Sequence, residues 1–358
     1  MKQIANYINE KLHITTKSFY ICHPKTKDEL QKIIIQRIES DGPECDLNDI
    51  DVSNMTDMSY LFSANTKNNG HKIFKDFNGD ISLWDVSNVK TMFCMFTYCE
   101  DFNCDLSKWN VSNVTNMQSM FYECHQFNSD ISHWDVSNVT NTRSMFYKCA
   151  NFNSDISKWN VSNIKTMAYM LYGCTNFNIN ISKWNVSNVT NMTAMFYKCE
   201  KFNCNISDWD VSNVEDMRFM FQHCKIFNSD ISKWDVSNVY NMRAMFNCCI
   251  NFNCDLSNWN VSNVTNMEYM FCGCTNFNCN ISKWDVSKVT NMESMFIDCS
   301  KFNCNLSKWD VSNVTNMESM FRECTNFNQN LDQWDVSNVE NMKWAFYKCP
   351  TQPKWYNN

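Results

Sequence analysis

The 358-residue chain is expected to fold as a repeat solenoid, one coil per repeat, and three observations predict it. Trp recurs at Trp84, Trp109, Trp134, Trp159, Trp184, Trp209, Trp234, Trp259, Trp284, Trp309 and Trp334, a step of 25 residues each time with no insertion. The same Val, Met, Phe and Cys positions return around each Trp. Hydrophobic residues make up 44% of the chain, with only 5 Gly and 4 Pro, which supports a packed core and excludes collagen and flexible linkers. A single coil cannot bury its own apolar face, so it must stack on its neighbours.

Residues 1–50 are expected to form an N-terminal cap. Within it DELQKIIIQRIES, residues 28–40, predicts a helix with Leu30, Ile33, Ile34 and Ile38 facing inward, stopped by Asp41-Gly42-Pro43. A weaker first unit runs from Cys45 to Phe62, with Ile50 where Trp should stand. Extra residues around Ser63 to Phe74 interrupt the period before the regular array. The solenoid is assigned to 51–340.

A typical unit starts at Phe102 and ends at Gln126. Leu106 to Val114 is short, β-branched and aromatic, and bounded by Asn and Ser; it predicts extended segments with a bend near Asn113. Met117, Met120, Phe121 and Cys124 fall at i, i+3, i+4 and i+7, the pattern of one face of a short helix. Thr115 is placed as its N-cap. A short strand plus a short helical turn in a coil of this length is the leucine-rich-repeat style of solenoid. Trp344, Pro350, Pro353 and Trp355 break the pattern, so 341–358 is expected to close the far end.

The phrase W-[DN]-V-S-N-V-T-N-M-x-x-M-F-x-x-C, which Trp109 to Cys124 exemplifies, resembles the repeat of the BspA-like leucine-rich-repeat surface proteins. That group includes repeat proteins first noted in mycoplasmas. Cys45 to Asn54 resembles the start of such arrays, and the likeness spans about residues 25 to 349. The resemblance implies a surface for adhesion or protein binding and implies no catalysis.

In a repeat array the constant columns build the scaffold and the varying ones face partners. Tyr122, Tyr147, Tyr172 and Tyr197 are four consecutive tyrosines just after the Phe, and Tyr suits protein interfaces because its rigid ring is amphipathic. They are the candidate binding residues; the competing reading is a shielding column. Lys108, Lys158, Lys183, Lys233, Lys283 and Lys308 form a basic stripe, read as solvated edge lysines. Arg218 and Arg243 give way to Glu268, Glu293 and Glu318 in another column. Asn103 and its equivalents from Asn78 to Asn328 never vary, which predicts Asn ladders holding the bends.

Of the 21 Cys, eleven form a column from Cys99 to Cys349 on the apolar face. Cys104, Cys204, Cys254, Cys279 and Cys304 share a variable position with Ser and Gln and are expected to be more exposed. Most thiols are expected to be free, as in a reducing compartment. No Gly-rich phosphate loop, nucleophile elbow or metal-ligand spacing is present, so neither enzyme activity, cofactor nor metal is expected. Asp and Asn alternate freely in the turn columns, as turn chemistry permits and a catalytic carboxylate would not. The net charge of −7 argues against a general nucleic-acid binder. No apolar run reaches the ~18 residues of a membrane helix. No secretion signal or lipid anchor is read, so a cytoplasmic site, in a host cell or virion included, is favoured over secretion. The expected function is a protein-binding scaffold; the alternative is an adhesin or particle-surface protein in host interaction.

Overall fold

The computed structural model describes residues 20–68 and 70–356. The expectations for residues 1–19 lie outside the described residues. One α-helix is present among them, α1, Lys27–Asp41. Thr26 caps it by accepting the Glu29 N–H at 3.2 Å. Glu29 reaches back past the cap to the Lys25 N–H at 2.7 Å, a variant of the capping box, whose acid accepts from the cap residue itself. Gly42 ends it at φ 86°, its N–H donating to the Ile38 carbonyl. Leu30, Ile34 and Ile38 are buried. Gln31 donates to the carbonyls of Tyr60 and Leu61, so α1 lies against the first coil.

Behind α1 the chain is a tandem stack of repeats. Single parallel bridges link Thr91 to Asn116, Asn116 to Asn141, and so on to Asn341, one repeat per step. The Trp rings stack in register: Trp109 and Trp134 have centroids 6.4 Å apart and planes 4° from parallel. Each indole N–H donates backwards, as from Trp134 to the Leu106 carbonyl at 3.1 Å. Two Phe columns interleave beside them; Phe121 meets Phe127, which opens the next unit, at 3.8 Å and Phe146 at 5.8 Å. One Trp in the centre of the array, Trp209, is 3% exposed, and a buried aromatic of this size dominates core energetics.

The polar columns are turn devices. Asn103 Oδ1 accepts the Asn128 N–H at 2.7 Å, and Asn303 Oδ1 the Asn328 N–H at 3.0 Å, so the expected ladder exists as side chain to backbone. Asn113 Nδ2 donates to the Ser87 carbonyl at 2.7 Å. Asp105 and Asn110 each accept the N–H two residues on, from Ser107 and Ser112. Asp and Asn offer the same acceptor there, hence their free exchange.

Three expectations need correction. First, the segment from Met117 to Cys124 is not helical, and no strand longer than a bridge appears among the described residues. Met120 N–H bonds to Met117 O and Cys124 N–H to Phe121 O, which makes consecutive i to i+3 turns. Ser119 (φ 54°) and Glu123 (φ 60°) are left-handed at the third turn position, as type II turns require. Such turns direct Met117, Met120, Phe121 and Cys124 inward just as a helix would, so the apolar spacing is shared by both. The spare N–H groups of Met117, Ser119, Phe121 and Glu123 instead donate to Asn141, Arg143, Met145 and Tyr147 of the next coil.

Second, Thr115 caps no helix; its hydroxyl donates to the Lys90 carbonyl at 3.2 Å. Third, Cys204, Cys254, Cys279 and Cys304 are buried rather than exposed, and Cys104 is half-buried. Their sulfurs take a neighbouring coil's N–H, as Cys279 does from Leu256 at 3.0 Å. Ser129 fills the same role for Leu106, which explains why Ser and Cys share the column. The main Cys column is buried as expected, with thiols donating backwards, as from Cys124 to the Phe96 carbonyl at 3.0 Å.

The inserted residues return on themselves, His71 N–H bonding to Ser63 O, and seat Phe74 beside Phe62 at 5.6 Å. At the far end Trp355 stacks on Trp334 at 6.3 Å and donates to the Leu331 carbonyl.

Candidate interaction face

The double turn between Met117 and Cys124 turns positions 118, 119, 122 and 123 partly outward while the residues between them are buried; in other coils small or polar residues at the same positions, such as Ala168, Ala194, Ala244 and Ser294, are buried. Here the repeats differ most. The first left-handed position carries Ser119, Tyr169, Ala194, Phe219, Tyr269 and Trp344 in different coils; the second carries Glu123, Lys148, Lys198, His223, Cys248 and Asp298. Gly appears in this register at Gly173 and Gly273 alone. A left-handed backbone costs an L-residue ~1–2 kcal/mol relative to glycine. The face therefore keeps its side chains against a conformational penalty, coil after coil.

Tyr122, Tyr147, Tyr172 and Tyr197 lie on this face as one stack. Ring centroids are 4.4, 4.4 and 4.2 Å apart along it, with planes within 12° of parallel. The four rings are half-buried. Tyr98 and His223 close the ends edge-on at 5.4 and 5.6 Å. Sequence columns miss both, because they sit in the adjacent 123 column. The connecting register is i to i+24 at one end and i to i+26 at the other, not the repeat step. Burial, then neighbouring Tyr hydroxyls, pushes the phenols of Tyr122 and Tyr172 well up. Lys148 and Lys198 lie over the rings of Tyr147 and Tyr197 at 5.5 and 5.6 Å, and Lys148 is held by Glu123 at 2.7 Å. Because the ring faces cover one another, the stack offers ring edges and hydroxyls rather than ring faces.

Farther along, the column with the charge reversal holds one internal ion pair, while Arg218 pairs outside it with Asp216. Arg243 bridges Glu268 at 2.9 Å and covers the Phe219 ring at 5.5 Å. Glu293 accepts the Tyr269 hydroxyl at 2.6 Å, which is the largest reason that phenol rises to about 12. Burial raises the Glu268 carboxyl, opposed by Arg243. The lysine stripe, including Lys158 and Lys183, is exposed. No group of three or more metal-ligating side chains is found among the described residues, and no helix there is long and apolar enough to cross a membrane.

A family model described as "Mycoplasma protein of unknown function, DUF285" matches residues 39–155, 68–183, 143–257 and 247–355. No curated protein matches. Among solved structures, the functional domain of InlJ from Listeria monocytogenes, whose description notes a cysteine ladder, is 12% identical with a TM-score of 0.18. The match covers 74% of this chain and 62% of that one, so the chain spans about three-fifths of that structure's length.

Proposed function

The chain belongs to the DUF285 repeat family, and on that premise we propose that it is a non-enzymatic scaffold binding a protein partner through its outer turn face. The carrying observation is the retention of Tyr169, Phe219, Tyr269 and Trp344, among others, at left-handed positions where glycine would be less costly. The tyrosine stack from Tyr122 to Tyr197 is the proposed centre of binding. Its partner is a protein with a flat, partly apolar surface able to accept phenol hydrogen bonds. This reading includes a leucine-rich-repeat-like solenoid of BspA-like type, with α1 and the last residues as its caps.

The test compares affinity isolation by the parent chain, by Tyr147→Ala/Tyr172→Ala, and by Lys158→Ala/Lys183→Ala, each checked for fold by circular dichroism. A partner lost with the tyrosine variant and kept by the lysine variant supports the site. A partner kept by both folded variants removes it. Display on a cell or particle surface is the second reading, favoured by the BspA-like repeat phrase; fractionation of cells and particles separates it from the first.

A further inference from the structure

Cys248 and Cys272 lie on the outer turn face in adjacent coils, apart from the tyrosine stack. Cys248 is left-handed at φ 59°, and its N–H donates to the Cys272 carbonyl at 2.7 Å. The same bond, also 2.7 Å, joins Tyr98 to Tyr122, whose side chains meet at 5.4 Å between centroids. The register thus brings the two side chains of such a pair together. A Cβ on Gly273 would lie 3.3 Å from Cys248 Sγ, so this thiol lies against the residue that follows Cys272, where glycine leaves it room. Both are free and half-buried, whereas their neighbours Cys249 and Cys274 are fully enclosed. Coil spacing of ~4.8 Å separates Cys248 from Gly273, and Cys272 stands one residue from that register; a disulfide accepts Cα separations of about 4.4–6.8 Å.

We propose that Cys248 and Cys272 are an oxidisable dithiol that closes to a disulfide between adjacent coils on meeting a small disulfide oxidant. One thiolate attacks the oxidant's S–S bond, forming a mixed disulfide and releasing one small thiolate, which takes up a proton. The second cysteine, as thiolate, attacks the protein sulfur of that mixed disulfide and expels the second small thiol. Two protein thiols are oxidised and one disulfide is reduced to two thiols. Burial raises both thiols, Cys272 to about 12 with Cys248 adding to it. The exchange is therefore slow at neutral pH and quickens in alkali. The pair is independent of the proposed partner site.

The experiment incubates the folded full chain with oxidised glutathione at about pH 9 and maps chymotryptic peptides without reduction. The expected result is loss of two thiols from the 21. A single link should join the peptide Asn247 to Phe252 with the peptide Cys272 to Phe277, and fragmentation should place it on Cys248 and Cys272. Cys248→Ser should abolish the link and leave Cys272 free or glutathionylated. No thiol loss, a stable mixed disulfide in the parent chain, or a link within the enclosed Cys column would overturn the proposal. The parent-chain map decides the matter even where the variant does not fold.

Discussion

Replacing Asp298 with Gly and, separately, with Ala tests the turn geometry with opposite signs for the two conformations. Asp298 is exposed, left-handed at φ 59°, and in register with Gly273 at φ 72°. Both substitutions remove the charge, so their difference isolates the backbone. In the left-handed turn Ala carries a penalty of ~1–2 kcal/mol that Gly escapes. Gly gives back about 0.5–1 kcal/mol through its freer unfolded chain. Asp298→Gly should therefore be more stable than Asp298→Ala by about 0.5–1 kcal/mol. In a helix the order reverses, Ala leading by about 0.8–1 kcal/mol. Urea unfolding followed by circular dichroism reads the difference as a midpoint shift of about 0.2–0.3 M for a slope near 3 kcal/mol/M. A higher midpoint for the Ala variant would refute the turn assignment and the penalty argument built on it.

Other predictions follow from single contacts. Trp209→Ala empties a site stacked on Trp184 and Trp234 at 6.4 and 6.5 Å and removes one of two N–H donors to the Ile181 carbonyl, leaving that of Trp184. It should cost about 3–5 kcal/mol, seen as a much lower urea midpoint; a loss under about 1 kcal/mol would contradict the stacked core. Hydrogen bonds from the side chain and backbone of Ser132 hold the Asp130 carboxyl below its usual range, and Ser232 does the same for Asp230. The folded state thus binds fewer protons than the unfolded state. That stability is fully present above the unfolded pKa of ~3.9 and is lost as pH falls through the lower folded value. Denaturant midpoints should be flat near pH 6 and drop below about pH 4, and Asp130→Asn should flatten part of that drop while leaving the neutral midpoint near the parent's. An acid-insensitive midpoint would contradict this.

The repeat step and the inward columns were legible because stacking makes every coil repeat the same burial. Trp109, Val111, Met117, Phe121 and Cys124 are all buried, as their recurrence predicts. The turn geometry was not legible. Spacing of i, i+3, i+4 and i+7 arises equally from a helix and from two type II turns. The residues that would have distinguished them, Ser119 and Glu123, are not the glycines that usually mark a left-handed backbone. The exposure of Cys204 was misjudged because a column shared with Ser suggested solvent, whereas both supply a buried acceptor for a backbone N–H. The tyrosine run was visible along the sequence. Its end members, Tyr98 and His223, were hidden because contacts across coils shift by one residue from the repeat step.

Residue-resolved amide hydrogen exchange tests the stacking most directly. The account predicts slow exchange at Met217, Phe219, Phe221 and His223, which donate to Asn241, Arg243, Met245 and Asn247. It predicts fast exchange at Met342, Trp344, Phe346 and Lys348, for which no backbone acceptor exists among the described residues. Uniform protection through both segments, with no fall at the last coil, would contradict a stack in which each repeat is held by the next.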